Sequence, residues 1–587
     1  MKAAIQGQPG DPRGASRRWK LISIVGWFAV VFYVAALLLT ILGKPIGMLD
    51  EATPLVTARM VSHGKTPATD FWIYYPPGYL YLLSGGLKLF GDTVVVPRIF
   101  AGCLSCLFLA VAARFFRTEF PRFGALTSWV ILLLVVSLSA DSNFQFWPAL
   151  YLGAISLMLY LSARHADGAR RDRLTAAAGL VTGFSLLMRV NFALYVAAVV
   201  LLDVVFRDEI ASGPVSKGRN RIRRLIFFAV PIVFSNLVFY GLVFGKDTRI
   251  VFDQSVTIMH SLMRSFGFEL FSLRVGLFAV SWPMLWLALT TLGDEGVSSA
   301  VFVPLAMAAV VAGSAMTLRT NPSIAVLIPA LNIALIAIFH RFVRRIGVPE
   351  FCLLAFYSCL LHYYLTRADP YHRAPLLVCA AILLPFLIFS RPVHSVRKSV
   401  SQGRAFALLL AAICFVAAIP GEKPNVASIR TGTARLTTLL SRPGLSDGQR
   451  LLASGSSGPW AGIPRNPDEV AVLRFLQTTT SPSEPIYVGV TDHSRGVINS
   501  ASLLWLSDKP VVLYHPVLDP SMLDAPGQSK MIADLNAQKI RYAVLDTGPP
   551  AGVETGYVGS SLLDNYLASH YSKIAQFGKL AVFRRTD

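Results

Sequence analysis

Apolar residues in this chain gather into long runs instead of alternating with polar ones. Leu21 to Leu42 contains no charged residue. An α-helix needs about 20 such residues to cross the hydrocarbon core of a bilayer. The hydropathy pattern predicts about 13 spans, near residues 21–43, 94–115, 124–140, 147–163, 174–188, 190–206, 225–244, 274–292, 297–317, 321–340, 349–366, 373–390 and 404–420. Residues 44–93, between the first two spans, form a long polar-apolar loop, and residues 1–20 are a basic N-terminal segment.

After Pro420 the pattern changes. Residues 421–467 are rich in Gly, Ser, Pro and Arg and read as a linker or irregular layer. From residue 468 to 587, amphipathic stretches alternate with short apolar runs, predicting helices at 468–476, 528–538 and 562–570 and strands at 486–490, 540–545 and 580–584. Helices alternating with apolar strands predict a small α/β domain with a parallel or mixed sheet. The expected fold is thus a polytopic α-helical membrane body over 21–420 with a C-terminal α/β domain.

Composition agrees. Of 587 residues, 54% are hydrophobic and 15% charged, against about a quarter charged in ordinary soluble domains, and the mean hydropathy is +0.55. The net charge of +21 does not point to nucleic acid, because the basic residues lie between apolar runs, where cytoplasmic loops carry them. With the N-terminus inside, the arginine groups at 114–122, 164–173, 219–224 and 341–345 all fall on the cytoplasmic side. An odd number of spans then puts the α/β domain outside, beside the 44–93 loop. The run after Arg13, Arg17, Arg18 and Lys20 is longer than a signal-peptide core and reads as a retained helix. All six cysteines lie inside predicted spans, so no disulfide framework is expected in the outer domain. There is no G-x-G-x-x-G and no Walker motif.

The chemistry is concentrated just past the first span. Asp50 and Glu51 are adjacent carboxylates at the mouth of an apolar run, where ionisable groups are costly and are kept for function. The alternative is that they start a helix, since acids favour its N-terminus. Asp70 follows, with Phe71, Trp72, Tyr74 and Tyr75, then Pro76-Pro77-Gly78 and Tyr79. Aromatics beside a carboxylate suit sugar binding; an interfacial aromatic belt is the other reading. The prolines and glycine break the chain and start the next helix.

This order, an apolar span followed by Asp50-Glu51, an amphipathic stretch and Tyr75-Pro76-Pro77-Gly78-Tyr79, resembles the first outer loop of the GT-C superfamily of membrane glycosyltransferases. The protein-mannosyltransferase and aminoarabinose-transferase families are the most similar in this loop. The resemblance implies a GT-C-like membrane body, a polyprenyl-phosphate sugar as donor, and a place in a bacterial inner membrane. The active face and C-terminal domain would lie on its periplasmic or extracellular side. It implies an acidic base directly after the first span, which is Asp50 here with Glu51 as second choice or helper. Motif-level similarity is confined to residues 50–80, and the W-W-D motif of oligosaccharyltransferases is absent. The mannosyl and aminoarabinose relatives imply catalysis without an obligatory metal; the oligosaccharyl branch implies the reverse, with Asp50, Glu51 and Asp70 as the carboxylates at hand.

Such transfer needs a base for the acceptor hydroxyl, positive charge on the departing phosphate and a groove for the lipid. For the phosphate the turn Arg367-Ala368-Asp369-Pro370-Tyr371-His372-Arg373 offers two arginines and a histidine. A local Asp369–Arg373 ion pair is the alternative. Arg189 with Asn191 is a second candidate, Arg319 a third, and His260 with Arg264 lies in a longer outer loop. The expected activity is inverting glycosyl transfer to an extracytoplasmic glycan, lipid or protein. The rivals are a transporter or flippase for the lipid-linked sugar, and a non-catalytic envelope assembly protein. A transporter favours inverted repeats and mid-membrane polar residues, and the sequence displays neither.

Overall fold

A computed structural model describes residues 31–73, 75–120, 146–206, 217–254, 348–366, 425–495, 501–517, 524–548 and 559–587, apart from breaks at 48–49, 252, 455–457 and 465–466, together with a few isolated positions. The spans expected at 124–140, 274–292, 297–317, 321–340 and 404–420 lie outside the described residues, as does 373–390 apart from isolated positions.

The described residues before 425 are helical. Their elements are α1 (Val31–Gly43), α2 (Ala52–Ser62), α3 (Gly78–Phe90), α4 (Val95–Glu119), α5 (Trp147–Ser162), α6 (Gly168–Met188), α7 (Val190–Phe206), α8 (Lys217–Val243) and α9 (Val348–Thr366). Among the described residues two stretches are long and apolar enough to cross a membrane, Val95–Glu119 and Arg221–Val243, while α1 and α7 are shorter apolar helices. On α8 the large apolar side chains Ile222, Ile226, Val230, Val233, Phe234 and Leu237 are exposed. Their spacing of three and four residues puts them on one helical face, an apolar stripe suited to lipid. The opposite face packs on α6.

Charge sorts the two ends of the bundle. At one end Glu119 pairs with Arg164 and His165, and Asp172 pairs with Arg223, tying helix ends α4–α5 and α6–α8. This is the end the sequence assigns to the cytoplasm. The 44–93 loop and the break between α6 and α7 lie at the other end.

The stretch expected to be a linker is built differently. Residues 426–441 form helix α10 (Val426–Ser441), followed by α11 (Asp447–Ser454). Asn425 caps α10, its side-chain oxygen accepting from the amides of Ala427 at 2.8 Å and Ser428 at 3.3 Å. The buried face of α10 is Gly432, Arg435 and Leu439, a helical spacing with only one large apolar residue, so the amphipathic pattern is faint. Gly43 of α1 and Gly432 of α10 let the two backbones touch: a Cβ on Gly43 would overlap the Ser428 carbonyl, and one on Gly432 the Leu39 carbonyl.

Residues 467–587 hold both helices and strands. Helices α12 (Pro467–Thr479), α13 (Ala501–Leu506), α14 (Ala525–Ala537) and α15 (Leu562–His570) accompany a sheet of β1 (Ile486–Val490), β2 (Tyr542–Asp546), β3 (Tyr571–Phe577) and β4 (Leu580–Arg585). The strand order is β1-β2-β4-β3, with β1 parallel to β2 and the other pairs antiparallel, so the sheet is mixed. Ile486, Val488, Tyr542 and Val544 face the core shared with α12, while Tyr487, Ala543 and Leu545 face α14 and α15. Both sheet faces are therefore covered, which explains why β1 reads as a continuous apolar run.

Candidate functional site

The site begins where α1 ends. The last carbonyls of a helix lack intrahelical partners, and here two buried guanidinium groups supply them. Arg98 donates to the carbonyls of Ile41, Leu42, Lys44 and Pro45 at 2.8–3.3 Å. Arg435 donates to those of Leu42 at 3.0 Å and Lys44 at 2.6 Å. Burial, and then the neighbouring Arg98, pull Arg435 down to about 9. Glu51 balances this charge. It accepts from Arg98 Nε at 2.6 Å and Nη2 at 2.9 Å, and from the Gly47 amide at 2.8 Å.

The two adjacent acids thus separate. Glu51 sits at the N-cap position of α2, yet its carboxylate makes no cap hydrogen bond and turns back to Arg98. It is 2% exposed, and both oxygens are engaged. This corrects Glu51 from a second base to a residue that fixes the loop. Asp50, one residue earlier, stands exposed in the turn.

Asp50 lies near enough to Arg189 for its charge to act on that guanidinium. Arg189 is the single extended residue between α6 and α7, with φ −158° and ψ 120°. The break turns its side chain into a ring of aromatics. Its Cζ stands 4.5 Å from the Tyr75 ring centre, 5.4 Å from Phe146 and 5.6 Å from Tyr363, and Nη2 donates to the Tyr363 hydroxyl at 2.9 Å. Its Nε is buried without a hydrogen-bond partner among the described residues. A buried charge normally demands a partner, so this arrangement favours an anion. Burial, followed by Tyr75, raises the Tyr79 hydroxyl beside it and keeps it a neutral phenol; Arg189 opposes the shift.

Pro76-Pro77-Gly78 sets this geometry. The prolines lead into α3, and Gly78 meets the end of α6: a Cβ there would lie 2.7 Å from both the Leu187 Cβ and its carbonyl oxygen. Only a residue without a side chain lets the loop approach so near to Arg189.

Other expected residues fall elsewhere. Asp70 accepts from the Thr66 amide at 2.7 Å in a surface turn. Trp72 is buried, donates its amide to the Tyr514 carbonyl at 2.7 Å and lies 5.9 Å from the His515 ring. Asp70 thus holds a turn, and Trp72 meets the segment after α13. Asn191 is half-buried in the first turn of α7. Tyr74, His260, Arg319, Arg367, Asp369, His372 and Arg373 lie outside the described residues. Among the described residues no three His, Cys, Asp or Glu side chains gather as a metal site.

Sequence reasoning missed Arg98, Phe146 and Tyr363. A lone arginine in the first turn of an apolar span was a usable signal for Arg98. The two aromatics carried none, being ordinary residues of apolar helices.

Residues 75–240 match the family model described as dolichyl-phosphate-mannose-protein mannosyltransferase. The segment holds Tyr75, Arg98 and Arg189 but begins after Asp50. Among solved structures, the archaeal oligosaccharyltransferase AglB from Archaeoglobus fulgidus, in complex with an inhibitory peptide and a dolichol-phosphate, aligns with a TM-score of 0.46 at 15% identity. The alignment covers 88% of this chain and 69% of that one, a likeness too loose to carry a functional argument. No curated protein matches significantly. The chain's likeness to this mannosyltransferase family thus rests on residues 75–240.

Proposed function

We propose that the chain transfers a sugar from a polyprenyl-phosphate carrier to an acceptor hydroxyl on the extracytoplasmic side of a bacterial inner membrane, with inversion at the anomeric carbon. The family match supports glycosyl transfer in general. One observation carries the finer reading: the buried Arg189 lies over the Tyr75 ring and donates to the Tyr363 hydroxyl, and its Nε has no hydrogen-bond partner among the described residues.

The acceptor oxygen attacks the anomeric carbon from the face opposite the phosphate. Asp50 takes the hydroxyl proton as that bond forms. The bond between the anomeric carbon and the phosphate oxygen breaks, and polyprenyl phosphate departs with the electron pair. Arg189 offsets the negative charge that grows on the phosphate, in surroundings of low dielectric that strengthen the attraction. Tyr75 covers the guanidinium and Glu51 fixes the turn that presents Asp50. Arg367, His372 and Arg373 are further cations proposed for the phosphate, and Asp369, Asn191, His260, Arg319 and Tyr74 remain proposed contacts. The acceptor is a cell-envelope glycan, lipid or protein, and no metal is required in this scheme.

A transporter or a non-catalytic assembly protein has less support, since neither requires a carboxylate at the membrane surface beside a buried arginine. The test offers purified protein in nanodiscs a panel of polyprenyl-phosphate sugars with cell-envelope acceptors. Free polyprenyl phosphate and a product of inverted anomeric configuration support transfer. Movement of intact donor across the bilayer without release supports the transporter instead.

A further inference from the structure

A cavity lies at the far end of α2 from Asp50. It measures about 660 Å³, within the range of pockets that hold small organic ligands. Arg59 lies on α2 at a rise of about 10 Å from its first residue, Ala52. The cavity is closed by residues remote in sequence, Asp92 between α3 and α4, Gln449 on α11 and Asp508-Lys509 after α13.

Its polar groups are held in place. Arg59 stacks 3.9 Å from the centre of the Trp505 ring and donates to the Trp505 carbonyl at 2.9 Å. The same guanidinium reaches Asp92 Oδ2 at 2.7 Å and Asp508 Oδ1 at 3.3 Å. Asp508 keeps a left-handed backbone, φ 54°, and its second oxygen accepts from the Ser446 hydroxyl. Gln449 Oε1 accepts from the Ser446 amide at 3.0 Å. Among the described residues this leaves Asp92 Oδ1 as an oriented acceptor and the Gln449 NH₂ as a donor, with Lys65 and His63 exposed at the rim.

Acceptors and donors therefore alternate around a wall made by Met60, Val511 and Val512. Arg59 is already shared between two carboxylates, so the floor does not favour an anion. Hydroxyl groups, which donate and accept together, satisfy such a set, and the C–H faces of a sugar ring suit the apolar wall. We propose that this cavity binds a neutral oligosaccharide, namely the part of a glycan acceptor that extends away from the hydroxyl attacked near Asp50. The assignment rests on the transferase reading given above and narrows its acceptor to a glycan.

The test measures binding of mannotriose and of an arabinofuranose trisaccharide to the full chain in nanodiscs, without donor lipid. At least one should bind. Val511→Trp, which fills the cavity, should weaken that binding by about tenfold or more. Lys65→Ala and His63→Ala, at exposed positions, should each weaken it severalfold, and they keep the test valid should Val511→Trp not fold. Absence of binding by the native chain overturns the assignment, as does binding that all three variants leave unchanged. Inorganic phosphate bound more tightly than either trisaccharide, and lost in Lys65→Ala, also overturns it by marking an anion site. Binding is read without donor, so a chain that consumes donor but holds no trisaccharide overturns the cavity assignment alone.

Discussion

Arg98 and Glu51 meet as a two-pronged ion pair, Nε to Oε1 at 2.6 Å and Nη2 to Oε2 at 2.9 Å, with both side chains 1% exposed. Their separation in sequence joins the first turn of α4 to the turn that presents Asp50. Removing one partner of such a buried pair costs about 3–5 kcal/mol. Arg98→Ala should therefore lower thermal stability strongly, and it also takes the arginine from the Ile41 and Pro45 carbonyls, while Arg435 still serves Leu42 and Lys44. Glu51→Gln keeps one accepting oxygen but sets an NH₂ donor against the donors of Arg98 and Gly47, so it should lower stability too, while the folded protein retains part of the turnover. Thermal unfolding in detergent, read beside transfer rates, checks both.

Arg189 offers a planar fork beneath Tyr75, and a lysine does not replace it. Arg189→Lys should weaken donor binding by about 1.5–3 kcal/mol, the value of a hydrogen bond to a charged group, while leaving the helices in place. Donor affinity measured on the resting protein gives the answer. Unchanged affinity would remove Arg189 from the phosphate site.

Gly78→Ala places a methyl group 2.7 Å from the Leu187 carbonyl oxygen. The start of α3 must then move away from α6, carrying Tyr75 off Arg189. Overpacking of this kind costs about 1–3 kcal/mol. Donor affinity should fall together with stability, whereas Gly85→Ala on the open side of α3, where a Cβ meets nothing within 4 Å, should leave donor affinity unchanged and raise stability slightly through helix propensity.

Asp447 links the α/β domain to the 44–93 loop. It is fully buried and accepts from the Val94 amide at 2.7 Å and Trp505 Nε1 at 2.9 Å. Burial raises its carboxyl above the ordinary 3.8 despite those hydrogen bonds. The folded chain thus holds a proton where the unfolded chain has released it. From this group, stability is fully present below 3.8 and is lost as pH rises through the raised value. Asp447→Asn should remove that fall and unfold at a higher temperature than the native chain at neutral pH. Melting curves across pH 4–8 would show it; a native chain that gains stability from this carboxylate as pH rises would oppose it.

Much of the architecture was legible because hydrophobic pattern carries it. The helices at 147–162 and 190–206 and the strand at 486–490 fall where apolar runs placed them. Helix α10 was hidden because its buried face is a glycine, an arginine and a single leucine, chosen for close backbone approach and for capping α1. Strand β3 was missed because most of its side chains are exposed or half-buried, leaving no period-two apolar signal. In the site, Asp50 and Glu51 stood out as a pair, yet nothing local distinguished the exposed acid from the one spent on Arg98. That division depends on a partner 47 positions away. Arg189 was visible as a charge between spans, but its aromatic surroundings come from residues brought together only by folding.

The most direct measurement compares Asp50→Asn with Glu51→Gln and the native chain, reading release of polyprenyl phosphate and binding of donor lipid in the same nanodiscs. Asp50→Asn should bind donor normally and lose turnover by about two to four orders of magnitude, the range of a general base, while Glu51→Gln keeps measurable release. Near-native release by Asp50→Asn would contradict Asp50 as the base and the scheme built on it.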